Sequence, residues 1–284
     1  MKIQRDCLHC VFRSFLNKIS KYHLPDKREE SAIREFLRFL AQVDYYQTPP
    51  SLGKEIQNII RKLLEDRDPY YKEKQESNQV VLKDYERFRK IISDSQDPFF
   101  TALKLSLLGN ILDFAVHDNT DFNHIFQKVK SIQPEIDHTA QLKDELKNAD
   151  KILYLCDNCG EIVFDKLFIT EIKRDFPHLK IIVAVRGYPV LNDATIKDAK
   201  LIGLDKVVKV IENGSDVPGT ILKDCSPYFN KFFWESDLVI SKGQGNFEGL
   251  SDENKKIYFL LMTKCKAVAD KFSTEPGDIV ISTN

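Results

Sequence analysis

The stretch Lys151-Ile-Leu-Tyr-Leu-Cys-Asp-Asn-Cys-Gly-Glu161 decides how the chain is read. A mostly apolar run of the kind that suits a strand buried on both faces stops at a carboxylate, a carboxamide, a glycine and a second carboxylate. In open parallel sheets ligands gather outside the carboxyl ends of the strands, which puts Asp157 at the edge where a site forms. An Asp carboxylate beside an Asn carbonyl is oxygen chemistry, suited to a hard divalent cation.

Outward from this stretch the chain is written in two periods. Up to about Asn148 the apolar residues recur at helical spacing, as in Ile33, Phe36, Leu37 and Leu40. Beyond it, short apolar runs come in rhythm: Lys151 to Leu155, Ile181 to Val185, Val207 to Ile211, Leu238 to Ile240, Ile257 to Met262 and Ile279 to Ile281. Between them the segments Glu161 to Arg174, Ala194 to Ile202 and Thr220 to Glu235 read as crossover helices. The expected fold class is therefore α/β. An α-helical domain over 1–148 is followed by a Rossmann-like, three-layer α/β domain over 149–284 with a mostly parallel sheet.

Composition bounds the function. The chain has 284 residues, 42% of them hydrophobic, enough to bury a full core. Lys and Arg number 42 against 43 Asp and Glu, which gives no electrostatic reason to expect nucleic acid or an anionic membrane as partner. No stretch is apolar for long enough to span a bilayer, and the opening Met1-Lys-Ile-Gln-Arg-Asp6 lacks the core of a signal peptide. Six cysteines, two pairs of them spaced Cys-x-x-Cys, fit a reducing compartment; cytoplasm is the expected location.

Other strand ends carry related chemistry. The second strand runs into Arg186-Gly-Tyr-Pro-Val-Leu-Asn-Asp193, where Asn192 and Asp193 look like a cap for a helix at Ala194, yet Asp193 also lies one strand on from Asp157. The fourth runs into Ser241-Lys-Gly-Gln-Gly-Asn246, where Gly243 and Gly245 let backbone N–H groups approach an anion and Lys242 adds a mobile positive charge. Arg186 and Asn246 join this candidate phosphate-contacting set. Asp157, Asn158 and Asp193 form the candidate metal set, and Asp157, Lys242 and Glu161 the candidate catalytic one. Metal-assisted hydrolysis of a phosphomonoester follows, with either a water or the Asp157 carboxylate as nucleophile. Glu161 would orient water or substrate hydroxyls, or simply stabilise a helix N-terminus.

These motifs together, with Gly214-Ser-Asp-Val-Pro-Gly-Thr220, resemble the damage-control metal-dependent phosphatases, catalogued as domain of unknown function number 89. The resemblance covers nearly the whole chain, since Cys7-Leu-His-Cys10 and Leu108-Gly-Asn-Ile-Leu-Asp113 also match family motifs. The Cys-x-x-Cys start points to the prokaryotic branch. The resemblance implies a helical N-terminal part, a Rossmann-like C-terminal part, Asp157, Asn158 and Asp193 as ligands of Mg²⁺, Mn²⁺, Co²⁺ or Ni²⁺, and Lys242 at phosphate. It implies a small phosphorylated metabolite as substrate, either a sugar phosphate or a damaged cofactor precursor such as a phosphopantetheine derivative. Asn110 and Asp113, three apart on one helix face, would project toward the cleft or form a polar interior pair. Cys159 departs from the family, which often has a small residue such as Ala there, and sets a soft donor beside a hard-ion site.

Competing readings remain. Cys156 and Cys159 follow a strand and open a helix, as in thiol redox proteins. Cys7 and Cys10 have the spacing of a structural metal site or are thiols anchoring the first helix. A non-catalytic metal- or metabolite-binding protein is a further alternative. Trp234 with Phe229, Phe232 and Phe233 reads as a crossover helix packed on the sheet. The sequence leaves the oligomeric state open.

Overall fold

The computed structural model describes residues 1–111, 129 and 132–284, with Asn110 and Ile111 by backbone alone. Seven strands form one sheet: β1 (Ile136–Asp137), β2 (Lys151–Leu155), β3 (Lys180–Val185), β4 (Lys209–Glu212), β5 (Leu238–Lys242), β6 (Ile257–Met262) and β7 (Ile279–Thr283). Their order is β1-β7-β6-β5-β2-β3-β4, and every pairing is parallel except β6 with β7. The α/β class with a mostly parallel sheet is thus as expected. Because β2 has β3 on one side and β5 on the other, the chain reverses its direction of travel across the sheet at β2, and the crevice at such a switch point is where α/β folds bind ligands.

Period-two alternation along β2 builds two layers. Ile152 and Tyr154 join the cluster that holds α8 (Glu161–Asp175). Leu153 and Leu155 join the opposite cluster, with Phe229 and Phe233 of α10 (Pro227–Glu235), Leu250 of α11 (Gln244–Leu250) and Val268 of α12 (Lys266–Phe272). Helix α8 is buried over most of its surface, charged Glu161, Asp165 and Glu171 included, because it is sandwiched. Its other side meets α4 (Tyr71–Leu82) and α6 (Pro98–Ile111) of the helical half. Phe168 shows the continuity, with its ring 5.2 Å from Phe99 of α6 and 6.4 Å from Tyr154 of β2. Helices α1 (Arg5–Ile19), α2 (Asp26–Ala41) and α3 (Pro49–Leu64) instead share a core of their own around Phe15, Phe36 and Ile60.

Three features differ from the sequence reading. The sheet takes a short strand, β1, from upstream of residue 149, through parallel pairing with β7. The helix expected over 220–235 shrinks to a 3₁₀ turn at Leu222–Asp224 and α10. Pro227 disfavours helix in the residue before it and starts α10 at N1, with Ser226 accepting from the Phe229 N–H as cap. On α10, Phe229 and Phe233 are buried but Trp234 stays 50% exposed, so it does not pack the helix onto the sheet. Among the described residues, no helix is long and apolar enough to cross a membrane.

Phe168→Ala should cost about 3–5 kcal/mol in urea denaturation, as deletion of a buried aromatic does. A loss below about 1 kcal/mol would mean that α8 does not weld the helical half to the sheet.

Candidate active site

Two backbone hydrogen bonds bring the ends of β2 and β3 together. Cys159 donates to the Asn192 carbonyl at 2.8 Å and Ala194 to the Asp157 carbonyl at 2.8 Å, and Asn158 forms an isolated antiparallel bridge with Asp193. The capping expected of Asn192 and Asp193 is done instead by Thr195. Its N–H and hydroxyl both donate to Asp198, in a capping box that opens α9 (Ile196–Leu201). Asp193 is left to the site. From β5, Gly243 closes in at φ +78°, and a Cβ there would lie 2.0 Å from Asp157 Oδ2. Only glycine lets this turn reach the carboxylate.

A continuous buried polar chain runs behind these residues. Arg186 Nε donates to Asp193 Oδ2 at 2.6 Å and Nη2 to Asp157 Oδ1 at 3.5 Å, while Nη1 donates to Thr220 and Asn246. Asn158 Nδ2 donates to Asp157 Oδ2 at 2.8 Å and to Glu161 Oε2 at 3.3 Å. Lys242 Nζ donates to Glu161 Oε1 at 2.6 Å, Asp165 Oδ1 at 2.7 Å and the Ser106 carbonyl at 2.9 Å. Burial pushes Asp157 up to about 7, aided by the charges of Asp193 and Glu161. Burial raises Asp193 too, against the pull of Arg186. For Lys242 burial works against the charge, yet Asp165 and Glu161 prevail and hold the ammonium above its usual range.

This arrangement corrects several expected roles. Lys242, read as a phosphate contact, lies fully buried with its three donors engaged by Ser106, Glu161 and Asp165. Glu161, read either as orienting water and substrate or as stabilising a helix N-terminus, is the first residue of α8 and fully buried behind Asn158, in line with the second reading. Arg186 clamps the two aspartates from behind, and Asn246 is occupied with Arg186, Thr220 and the Cys156 and Lys242 carbonyls. The glycines serve close backbone approach; a Cβ on Gly245 would meet the Pro218 carbonyl at 2.5 Å. The Asn110 side chain and Asp113 lie outside the described residues. Cys156 and Cys159 are buried, and burial holds both thiols well above their usual range, the reverse of a redox pair.

The cleft in front, about 380 Å³, is walled by Asp157, Asn158, Asn192, Asp193 and Gly245 on the sheet side. Asp6, Cys7, Cys10 and Val11 of α1 and Pro49, Pro50 and Gly53 of α3 form the facing wall. Among the other lining residues are three not read as site residues in the sequence, Lys264, Gln244 and Glu248. Lys264 follows β6 just as Asp157 follows β2, and that strand-end position was the available signal. Its charge opposes the upward shifts of Asp157, Asp193 and Glu248. Glu248 is pushed up to about 7 by burial, with Gln244 donating to it at 2.8 Å. Asn78 of α4 was also missed. It accepts from the Gly160 N–H at 2.7 Å and donates to Asp198, bracing the turn that carries Asp157.

The donor set fits a divalent cation. Asp157, Asp193, Glu161 and Asp165 are four carboxylates joined to two cations, Arg186 and Lys242, which leaves two negative charges when all are ionised. Asp157 and Asp193 reach the cleft wall beside Asn158, offering carboxylate and carbonyl oxygen. Among the described residues, no group of three or more His, Cys, Asp or Glu is placed to hold a metal ion, at Asp157 and Asp193 or at Cys7 and Cys10 alike; the strand-end set is two carboxylates and a carboxamide.

The comparisons agree with the sequence resemblance. Residues 3–280 match the damage-control phosphatase ARMT1-like domain. A damage-control phosphatase of Pyrococcus horikoshii is 34% identical, covering 100% of this chain and 99% of its own, and one of Archaeoglobus fulgidus is 32% identical, covering 99% and 98%. An uncharacterized protein of Methanocaldococcus jannaschii is 31% identical over 99% of this chain and 95% of its own. The crystal structure of a DUF89 family protein from Pyrococcus horikoshii superposes with a TM-score of 0.92 at 33% identity, covering 100% of this chain and 99% of that one.

Removing the clamp tests the charge argument. Arg186→Met should cost about 3–5 kcal/mol in metal-free buffer, as loss of one partner of a buried ion pair does. Mn²⁺ should then raise its melting temperature by more than it raises that of the unaltered chain. Equal increments would place the ion away from Asp157 and Asp193.

Proposed function

As the chain belongs to the damage-control phosphatase ARMT1-like family, we propose that it is a divalent-metal-dependent phosphomonoester hydrolase acting on small phosphorylated metabolites. The observation that carries the reading is the bridge of Asn158 to Asp193, which sets two carboxylates and a carboxamide side by side on the wall of a metabolite-sized cleft. Asp157 and Asp193 would hold Mg²⁺, Mn²⁺, Co²⁺ or Ni²⁺ with the Asn158 carbonyl oxygen. A cation held there would supply Lewis-acid polarisation of a phosphoryl oxygen and lower the pKa of a water bound to it.

The chain's own residues supply the rest. Lys264, on the cleft wall, takes the phosphate-contacting role that Lys242 is too deeply engaged to fill. Glu248 and Gln244, a carboxyl and a carboxamide already bonded to each other, suit recognition of substrate hydroxyl groups. Val11, Pro49, Pro50 and Pro218 give the cleft apolar surface against which the carbon skeleton of a metabolite can pack. In the net reaction water adds to phosphorus, the ester P–O bond breaks, and the leaving alkoxide takes up a proton. Sugar phosphates and damaged cofactor-precursor phosphates such as phosphopantetheine derivatives are the proposed substrates.

The test is inorganic phosphate release from a panel of both classes with Mg²⁺, Mn²⁺, Co²⁺ or Ni²⁺, and with chelator. Release should need the cation and fall about a hundredfold or more in Asp157→Asn and Asp193→Asn. Lys264→Met should raise KM about tenfold or more, the loss of one charge-assisted hydrogen bond. Chelator-resistant release, or full activity in Asp193→Asn, would refute the reading.

A further inference from the structure

Asn158 differs from Asp157 and Asp193 in one chemical respect. A carboxylate offers oxygen at either end, whereas a carboxamide offers oxygen at one end and N–H donors at the other. What decides which end faces the cleft is the pair of acceptors that the nitrogen meets, Asp157 beside it on the wall and Glu161 behind it. Both amide hydrogens are directed at carboxylates, with Nδ2 2.8 Å from Asp157 Oδ2 and 3.3 Å from Glu161 Oε2. Carboxylates only accept, so the nitrogen is held toward them and the carbonyl oxygen away from Glu161.

Glu161 is itself immobilised. Lys242 holds its other oxygen at 2.6 Å, and Lys242 is fixed in turn by Asp165 at 2.7 Å and the Ser106 carbonyl at 2.9 Å. All three charged side chains are fully buried. Asp165 also accepts from the Tyr154 hydroxyl at 2.7 Å. From the helical half, Gly109 packs so closely that a Cβ there would lie 2.8 Å from Glu161 Cα and 2.9 Å from its Cγ. Glu161 has no room to swing toward α6.

We propose that Glu161 and Lys242 are positioning residues: Lys242 fixes Glu161, and Glu161 holds the Asn158 amide nitrogen so that its oxygen, not its N–H₂ group, faces the bound cation. This rests on the reading of Asp157, Asn158 and Asp193 as the cation site. The pair acts on cation affinity through Asn158 and touches neither cation nor substrate.

Mn²⁺ binding to the metal-free full chain, followed by calorimetry, separates this role from a merely structural one. Glu161→Leu should weaken Mn²⁺ binding about tenfold or more, the usual effect of losing a partner that orients a ligand. Asp165→Asn should lower the melting temperature but leave the Mn²⁺ Kd within about twofold, since Lys242 keeps Glu161 and Ser106 as partners. The decisive variant adds Asn158→Asp to Glu161→Leu. An aspartate has oxygen at both ends and needs no orienting, so the double variant should recover most of the lost affinity. On its own, Asn158→Asp sets a third carboxylate against Asp157 and Glu161 and should show no such gain. Where Glu161→Leu fails to fold, Glu161→Gln serves: Lys242 and Asn158 bond different oxygens of Glu161, a carboxamide turns one of them into an N–H₂ donor, and with the oxygen kept by Lys242 affinity should fall there too.

Unchanged Mn²⁺ affinity in the Glu161 variants, or no recovery in the double variant, would overturn the proposal while leaving the cation site standing. Equal weakening in Asp165→Asn and Glu161→Leu would make the network a structural staple and overturn it as well. If Asp157→Asn and Asp193→Asn bind Mn²⁺ like the unaltered chain, the cation-site reading fails first and takes this inference with it.

Discussion

The molecule depends on the tie between two loops that leave neighbouring strands. The Cys159 to Asn192 and Ala194 to Asp157 hydrogen bonds are ordinary amide bonds of 2.8 Å. Their effect is geometric. They form an antiparallel bridge between the two loops, beyond the parallel pairing of β2 and β3, and force Asp157 and Asp193 to share one space. Once two carboxylates are held together away from water, a counter-charge is obligatory, and Arg186 at their back supplies one. Thr195 contributes by taking over the capping of α9, which leaves Asp193 available.

The second constraint comes from the helical half, which acts on the site and does more than cover it. Ser106 gives a carbonyl to Lys242, Asn78 gives one to Gly160, and Gly109 yields space to Glu161. Each is on a helix that packs against α8, and α8 begins at the turn carrying Asn158. The sheet therefore delivers the acidic residues, and the helices set the orientation in which they are presented.

Much of this was legible in the sequence. The apolar runs marked the strands because parallel strands are buried on both faces, and Asp157 and Asp193 could be placed near one another because consecutive strands pair. The directions of the long basic side chains were misread. Lys242 looked like a surface cation because a glycine follows it, but it shares strand parity with Leu238 and Ile240, which face α8. Counting by two along β5 points Lys242 into the helical layer. Arg186 was misplaced for a related reason: a charged residue at a strand end reads as exposed until its buried partners, among them Thr220 and Asn246, are known. Lys264 went unnoticed because Thr263 and Cys265 around it carry no glycine signature.

The cleft has two walls with separate foundations. Asp157, Asn158 and Asp193 stand on the core that joins β2, β3 and α8, whereas Cys7, Cys10, Val11, Pro49 and Pro50 stand on the small core of Phe15, Phe36 and Ile60. Substitutions at Cys10 or Val11 can reshape the cavity from the front, whereas α3 is tied to the back by Arg61, which donates to Asp216 and to the Pro189 carbonyl in the loop that carries Asp193. A lineage built on this plan has room to vary what the face formed by α1 admits while keeping Asp157, Asn158 and Asp193 as they are.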